Sequence, residues 1–178
     1  MTDLHVSLVD GEVAIEPLEE RHRAGLKAAC AEDLAIWTIY ATSFDPDHFD
    51  TSFDALRANP HTRAFALLHH GRLVGMSAYL GVDGANRLLE IGNSYIVPAV
   101  RGTDFNRRIK RLMIDHAIDC GYYRIEFRVD VRNARSMAAV TKLGARLEGV
   151  IRRNRITWTG HVRDTALFSI LPEEWIAH

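Results

Sequence analysis

Residues 88–129 constrain the fold of this chain more than any other stretch. An apolar run from Leu88 to Val97 is stopped by Pro98, a helix is predicted from about Thr103 to Cys120, and a second apolar run follows from Tyr123 to Val129. Ile109, Leu112, Met113, His116 and Ala117 recur at helical spacing, and Gly121 is placed to end the helix in the left-handed conformation. A strand–helix–strand passage of this kind joins parallel strands, so the two runs are predicted to be parallel neighbours or near neighbours in one sheet. Just upstream, Arg63 to His69, Arg72 to Val82 and Leu88 onward are separated only by His70-Gly71 and Asp83-Gly84-Ala85-Asn86, the pattern of an antiparallel meander. Parallel and antiparallel pairing must therefore coexist.

The flanking regions extend this sheet. His5 to Val9 and Val13 to Ile15 alternate on either side of Asp10-Gly11, a hairpin signal. Pro17 to about Glu32 is predicted to be an amphipathic helix, and residues 33–60 to be short helical pieces and loops ended at Asn59-Pro60. Beyond residue 129, Ser136 to Leu143 is a helix closed by Gly144, and Arg146 to Trp158 and His161 to Leu171 are strands flanking Thr159-Gly160. The order β-β-α-α-β-β-β-α-β-α-β-β predicts an α+β protein with a central mixed, mostly antiparallel sheet flanked by helices. With 178 residues, 47% of them hydrophobic, the chain suffices for one domain over residues 1–178. No apolar run approaches the ~18 residues of a membrane span, the first thirty residues hold no signal-peptide core, and Cys30 and Cys120 are the only cysteines. No membrane partner and a cytoplasmic location are expected.

A net charge of −1 hides a division. Residues 1–96 hold 7 Lys+Arg against 14 Asp+Glu, and residues 97–178 hold 15 against 9, so the halves balance at −7 and +6. Either the halves neutralise each other on packing, or the second half meets an anion. Nucleic acid is a poor candidate for that anion, because the basic residues alternate with acids and lack interleaved aromatics for base stacking.

Two stretches carry chemistry. In Ile96-Val97-Pro98-Ala99-Val100-Arg101-Gly102-Thr103-Asp104-Phe105-Asn106-Arg107-Arg108 a strand ends, a turn containing Arg and Gly follows, and an amphipathic helix begins. Free amides at a helix start form an anion site suited to a pyrophosphate, although a solvated helix start with ordinary arginines satisfies the same pattern. In the run from Val131 to Ala145, Asn133 stands between a strand and a helix as an N-cap, and Ser136 lies on the first helical turn where its hydroxyl can face the same crevice. The nine histidines form no metal-ligand spacing, so no metal is expected.

Taken together, Arg101 to Asn106 after a Pro-terminated strand, Asn133-Ala134-Arg135-Ser136, and Lys142-Leu143-Gly144-Ala145 resemble the GNAT superfamily of N-acetyltransferases. Glu148 to Arg153, Trp158-Thr159-Gly160, Arg163-Asp164-Thr165, Ser169 to Trp175 and Leu89-Glu90-Ile91-Gly92 are similar to its ribosomal-protein alanine N-acetyltransferase-like branch. The resemblance runs from about Val13 to Trp175. It implies a GNAT-like sheet with a splayed parallel pair, and acetyl-CoA as cosubstrate wedged into the splay. The pantetheine arm would pair with main-chain groups near Tyr95, Ile96 and Val97, much as an added strand would. The pyrophosphate would sit on the amides of Arg101, Gly102, Thr103, Asp104, Phe105 and Asn106. Asn133 would bond the pantetheine arm, and Arg107, Arg108 or Lys142 would meet the outer phosphates. The superfamily's loop reads Q/R-x-x-G-x-G/A, whereas Asp104 stands at the second glycine and Asn106 at the last position. A carboxylate there weakens CoA binding unless it points away or pairs with Arg107 or Arg108.

The resemblance also implies a mechanism: a neutral amine attacks the thioester directly. An amide near Ile96 or Val97 would stabilise the oxyanion, and Ser136, or alternatively Tyr95, would protonate the departing thiolate. Glu90 is the candidate base, or else a partner for Arg63 or Arg128. Relatives in the ribosomal-protein branch can carry a glutamate on the penultimate strand, where residues 152–158 here hold no acid. Asp45, Asp47, Asp50 and Asp54, with Trp37, Tyr40, Phe44 and Phe49, would line a pocket for the acceptor, a protein N-terminus or a small amine, or else form a solvated acidic loop. A non-catalytic CoA-binding or interaction module on the same fold is the alternative. Exposed apolar edges on the last strands allow a homodimer.

Overall fold

The computed structural model describes residues 3–175. Its strands are β1 (Leu8–Asp10), β2 (Val13–Pro17), β3 (Arg63–His69), β4 (Arg72–Asp83), β5 (Leu88–Ile96), β6 (Arg124–Asp130), β7 (Arg146–Ile156) and β8 (Val162–Ile170). Its α-helices are α1 (Arg23–Cys30), α2 (Phe49–Ala58), α3 (Phe105–Asp119) and α4 (Ala134–Lys142). The element order is the expected one. All the strands share one sheet in the order β1-β2-β3-β4-β5-β6-β8-β7. None of the described helices is long and apolar enough to cross a membrane.

The decisive pairing is between β5 and β6. They run parallel and pair only at Leu88–Arg124, Leu89–Ile125 and Glu90–Glu126, after which they separate. Every other strand pair is antiparallel. On its other edge β5 carries a bulge: Met76 pairs with Tyr95 and Ala78 with Gly92, so Asn93 and Ser94 stand opposite Ser77 alone. Asn93 absorbs the extra residue at φ 47°, a conformation Asn tolerates better than most. Just beyond, β4 and β5 approach so closely at Gly75 that a Cβ there would lie 2.1 Å from the Tyr95 carbonyl oxygen.

Buried side chains fill both faces of the sheet. On one, Tyr79 reaches α3 and donates to the Met113 carbonyl at 2.7 Å. On the other, Trp37 packs against Tyr95 and begins a chain of ring contacts through Phe44, Phe49 and Phe53, and the Tyr95 hydroxyl donates to the Ala29 carbonyl of α1 at 2.7 Å.

Three local expectations need correction. The helix expected from Pro17 begins only at Arg23, because Pro17 still pairs with Phe65 and the Leu18 amide continues that ladder to the Ala64 carbonyl. The first strand starts at Leu8 rather than His5. The buried stripe of α3 is Phe105, Ile109, Lys110, Met113, Ile114 and Ala117, rotated from the expected set so that Leu112 and His116 sit at its margin.

Candidate active site

A cavity of about 890 Å³ opens where β5 and β6 part. Glu90, Gly92, Ser94 and Ile96 of β5 form one wall, and Phe127 to Asp130 of β6 face them. The start of α3, the first turns of α4, and the Ile36–Ala41 segment between α1 and α2 close it. That last segment is tied down on both sides. Arg101 Nη1 donates to Asp33 at 2.5 Å, and from the β7–β8 turn Trp158 donates through Nε1 to the Trp37 carbonyl at 2.8 Å and through its amide to the Ala41 carbonyl at 3.1 Å.

Helix α3 points its amino end at the cavity. Gly102 adopts φ +78° in the preceding turn, whereas Asp104 is the N-cap at φ −79° and carries no backbone strain. Thr103 Oγ1 donates to the Val100 carbonyl and accepts the Phe105 amide at 3.2 Å, leaving the Asn106 and Arg107 amides as unsatisfied donors of the first turn. Gly102, Thr103, Asp104, Asn106 and Arg107 line the cavity. Phe105 does not: its side chain is buried against His69 and its amide is already bonded. The Arg101 side chain lines the cavity but is committed to Asp33 and to the Ile96 carbonyl (3.0 Å), with Nη2 buried and unpartnered. Arg108 leaves the site altogether and pairs with Asp10 and Glu12 of the first hairpin. The Asp104 carbonyl accepts the Arg108 amide at 3.0 Å, but its carboxylate finds neither an arginine partner nor a hydrogen bond among the described residues.

Asn133 is the N-cap of α4, its Oδ1 accepting the Ser136 amide at 3.0 Å. That bond leaves the Asn133 side-chain NH₂ and the Ser136 hydroxyl without partners among the described residues, and both residues line the cavity, as does Lys142. The capping and ligand-facing roles of Asn133 are thus compatible.

On β5, Glu90 lines the cavity with Arg128, not Arg63, beside it at 3.7 Å. Burial pushes its carboxyl above the ordinary range, against the pull of Arg128, Arg155 and Arg163. Gly92 leaves room for this carboxylate: a Cβ there would lie 2.8 Å from Glu90 Oε1. Ile96 also lines the cavity, but the Val97 amide donates to the Val74 carbonyl at 2.8 Å, so Val97 has no N–H to offer an oxyanion. Tyr95 is likewise removed as a proton donor. It is wholly buried on the α1 face, its hydroxyl is spent on Ala29, and burial raises its pKa. The acidic acceptor pocket does not form either. Asp50 and Asp54 pair with Arg23 and Lys27, Asp45 bonds Ser43 and His48, and of the named aromatics Tyr40 alone lines the cavity, its hydroxyl donating to the Ser94 carbonyl at 2.5 Å.

Several residues of the site fall outside those expected from the sequence. Lys110, on the buried stripe of α3, is 5% exposed and donates to Ser77 Oγ at 3.1 Å and to Ser94 Oγ at the bulge. Burial alone pulls its ammonium down to about 7. A lysine at helical spacing with Met113, Ile114 and Ala117 was the available clue. Glu126, Asp130 and Arg163 come from strands β6 and β8 and meet the cavity only through sheet order. Among the described residues no group of three His, Cys, Asp or Glu side chains is placed to hold a metal ion.

Known proteins share both this sequence pattern and this fold. The family model described as the acetyltransferase (GNAT) family matches residues 34–145. A probable acetyltransferase of the GNAT family from Chromobacterium violaceum is 30% identical, with 97% of this chain and 89% of that one covered and a TM-score of 0.91. A GCN5-related N-acetyltransferase from Brucella melitensis is 27% identical over 96% of this chain and 80% of its own, with a TM-score of 0.88. Mycobacterium smegmatis RimJ, solved with CoA-disulfide, shares the fold at 22% identity and a TM-score of 0.80, covering 93% of this chain and 84% of that one. Comparison with curated proteins gives no match.

Proposed function

Because the chain belongs to the acetyltransferase (GNAT) family, we propose that it moves the acetyl group of acetyl-CoA to a primary amine, of a protein N-terminus or a small molecule, by direct attack in a ternary complex. The observation that carries this reading is the splay itself. Pairing between β5 and β6 stops at Glu90–Glu126, and the cavity there receives the amino end of α3 with its unsatisfied amides. RimJ, on the same fold, was solved in complex with CoA-disulfide.

In this reading the Asn106 and Arg107 amides, the Arg107 guanidinium and the Lys142 ammonium hold the phosphates. The Asn133 side-chain amide holds the pantetheine arm. Acetyl-CoA supplies an activated thioester, and the Ile96 amide is the donor available to its carbonyl oxygen. Glu90, with a carboxyl already pushed up by burial, accepts the acceptor's proton directly or through water, and Ser136 returns a proton to the sulfur. Within the family the closing motifs favour the ribosomal-protein alanine N-acetyltransferase-like branch, and residues 1–178 read as one acetyltransferase domain. The unpaired Asp104 carboxylate favours one alternative, a non-catalytic CoA-binding module.

Titration calorimetry with acetyl-CoA followed by an amine panel tests the reading. Binding with turnover of at least one amine is expected. No heat at millimolar acetyl-CoA would overturn both readings, whereas binding without any acetylation would leave the non-catalytic module.

A further inference from the structure

The end of the cavity beyond β6 holds a second cationic group that the CoA phosphates do not account for. Register places Glu90, Glu126, Arg128 and Asp130 on one face of the sheet with Thr165 and Arg163 of β8, and Arg155 of β7 stands directly opposite Arg163. This is the face away from α3, since Ile91 pairs with Tyr79, which reaches α3. Like charges directly opposite one another on neighbouring strands repel, so the Arg155–Arg163 pair is unfavourable as it stands. Arg163 is only 7% exposed. Its Nη2 donates to the Arg128 carbonyl at 2.9 Å, but its Nε is buried with no partner. Burial lowers its pKa, and Arg155 lowers it further while Asp130 and Glu90 oppose the shift.

The carboxylates on this face are already engaged. Asp130 accepts from Arg132 at 3.0 and 2.7 Å, Glu126 from Arg124 and Arg128, and Glu90 lies against Arg128. Arg124 is also set against Glu148. Four guanidiniums (Arg128, Arg132, Arg155 and Arg163) then face three carboxylates (Glu90, Glu126 and Asp130). Arg155 takes no partner among the described residues. Next to it Thr165 Oγ1 donates to Asn154 Oδ1 at 2.6 Å, which orients the Asn154 amide and leaves its NH₂ free. Asn154, Arg155, Arg163 and Thr165 all line the cavity that Glu90 lines. An excess of one positive charge, an unsatisfied buried N–H and a planar guanidinium fork together match a single carboxylate better than a dianionic phosphate.

We propose that this end of the cavity is a carboxylate subsite, and that the acceptor is a small amine of the amino acid class, its carboxylate held by Arg155 and Arg163 with its amine toward Glu90. The proposal rests on the acetyltransferase reading above. Neither the start of α3 nor α4 contributes to it, so it can fail while acetyl-CoA binding stands.

The test is a matched acceptor panel: alanine, glutamate and phenylalanine, each beside its carboxamide and the corresponding alkylamine, compared by kcat/KM on the concentration of neutral amine. The expected result is a preference of about tenfold or more for the acid over its amide in the wild type, the loss expected when a charge-assisted bond is removed. In Arg155→Ala, a surface substitution, that ratio falls toward one with acetyl-CoA affinity unchanged. Arg163→Gln gives the same collapse if it folds. Amides or alkylamines acetylated as well as the acids would overturn the subsite and leave the acetyltransferase intact. If acetyl-CoA binds and no panel member turns over, calorimetry of N-acetyl amino acids against their amides in the CoA complex decides the matter, and equal affinities overturn the proposal.

Discussion

Replacing Lys110 by methionine should make the protein more stable at neutral pH and leave it no better off at high pH. The Lys110 ammonium is buried on α3 with only two serine hydroxyls as partners and no ion pair among the described residues, and burial draws it from the ordinary lysine value of 10.5 to about 7. Above 10.5 the amine is neutral in folded and unfolded chains alike and adds no pH dependence. Between 10.5 and 7 the unfolded chain binds a proton that the folded chain does not, so stability falls as pH falls, by about 1.4 kcal/mol per pH unit. Below 7 both states are protonated and the penalty levels off near ~5 kcal/mol. Methionine fills a similar volume, and Ser77 and Ser94 keep their mutual 2.8 Å hydrogen bond, so no polar group is orphaned. Subtracting about 1 kcal/mol for each hydrogen bond lost leaves a gain of roughly 3 kcal/mol at pH 7. Urea unfolding of both proteins at pH 6.5, 8 and 9.5 reads it directly. The wild type should recover ground with rising pH and equal or pass Lys110→Met by pH 10.5. A pH-independent difference, or a wild type more stable at pH 7, would refute the account of a charge buried without compensation.

Ser136→Ala should lower kcat about 10²-fold with acetyl-CoA affinity kept, in steady-state assays, if the hydroxyl returns the proton to sulfur. Glu90→Gln should remove the acidic limb of the kcat/KM profile, a limb expected above the ordinary carboxylate range because burial raises Glu90. Asp104→Asn should tighten acetyl-CoA three- to tenfold by calorimetry, from roughly 0.5 kcal/mol per unit-charge pair at about 8 Å in water. Light scattering should give twice the monomer mass if the exposed Leu147, Val150, Ile151 and Ile156 of β7 form a homodimer contact, and Ile156→Lys should then reduce it to one.

Local pattern carried the β3–β4–β5 meander and α3 to within a residue or two, because turn residues and caps act within a few positions of where they stand. It also carried the parallel pair, since a helical crossover leaves little choice of strand direction. Side-chain direction near the site was less legible. The bulge at Asn93 and Ser94 exchanges the faces of every later residue on β5, which sends Tyr95 into α1 rather than the cavity, and a one-residue insertion leaves no trace in composition. Amide availability was hidden for the same reason, as the Val97 N–H belongs to β4. The acidic run at residues 45–54 misled because Arg23 and Lys27, twenty and more positions earlier, absorb Asp50 and Asp54. Arg155 and Arg163 become neighbours of Glu90 only once β8 lies beside β6.

The three residue pairs between β5 and β6 are the one stretch of ladder joining β1–β5 to β6–β8. Mechanically the sheet is two plates, of five strands and of three, clasped at a single corner. A clasp that short is where opening should cost least, so exchange of the amides of Leu89 and Glu126, which face across it, ought to report plate separation well before global unfolding. Any molecule seated in the splay bridges both plates and slows that exchange in proportion to its occupancy. The gap thereby couples cleft occupancy to the rigidity of the whole sheet.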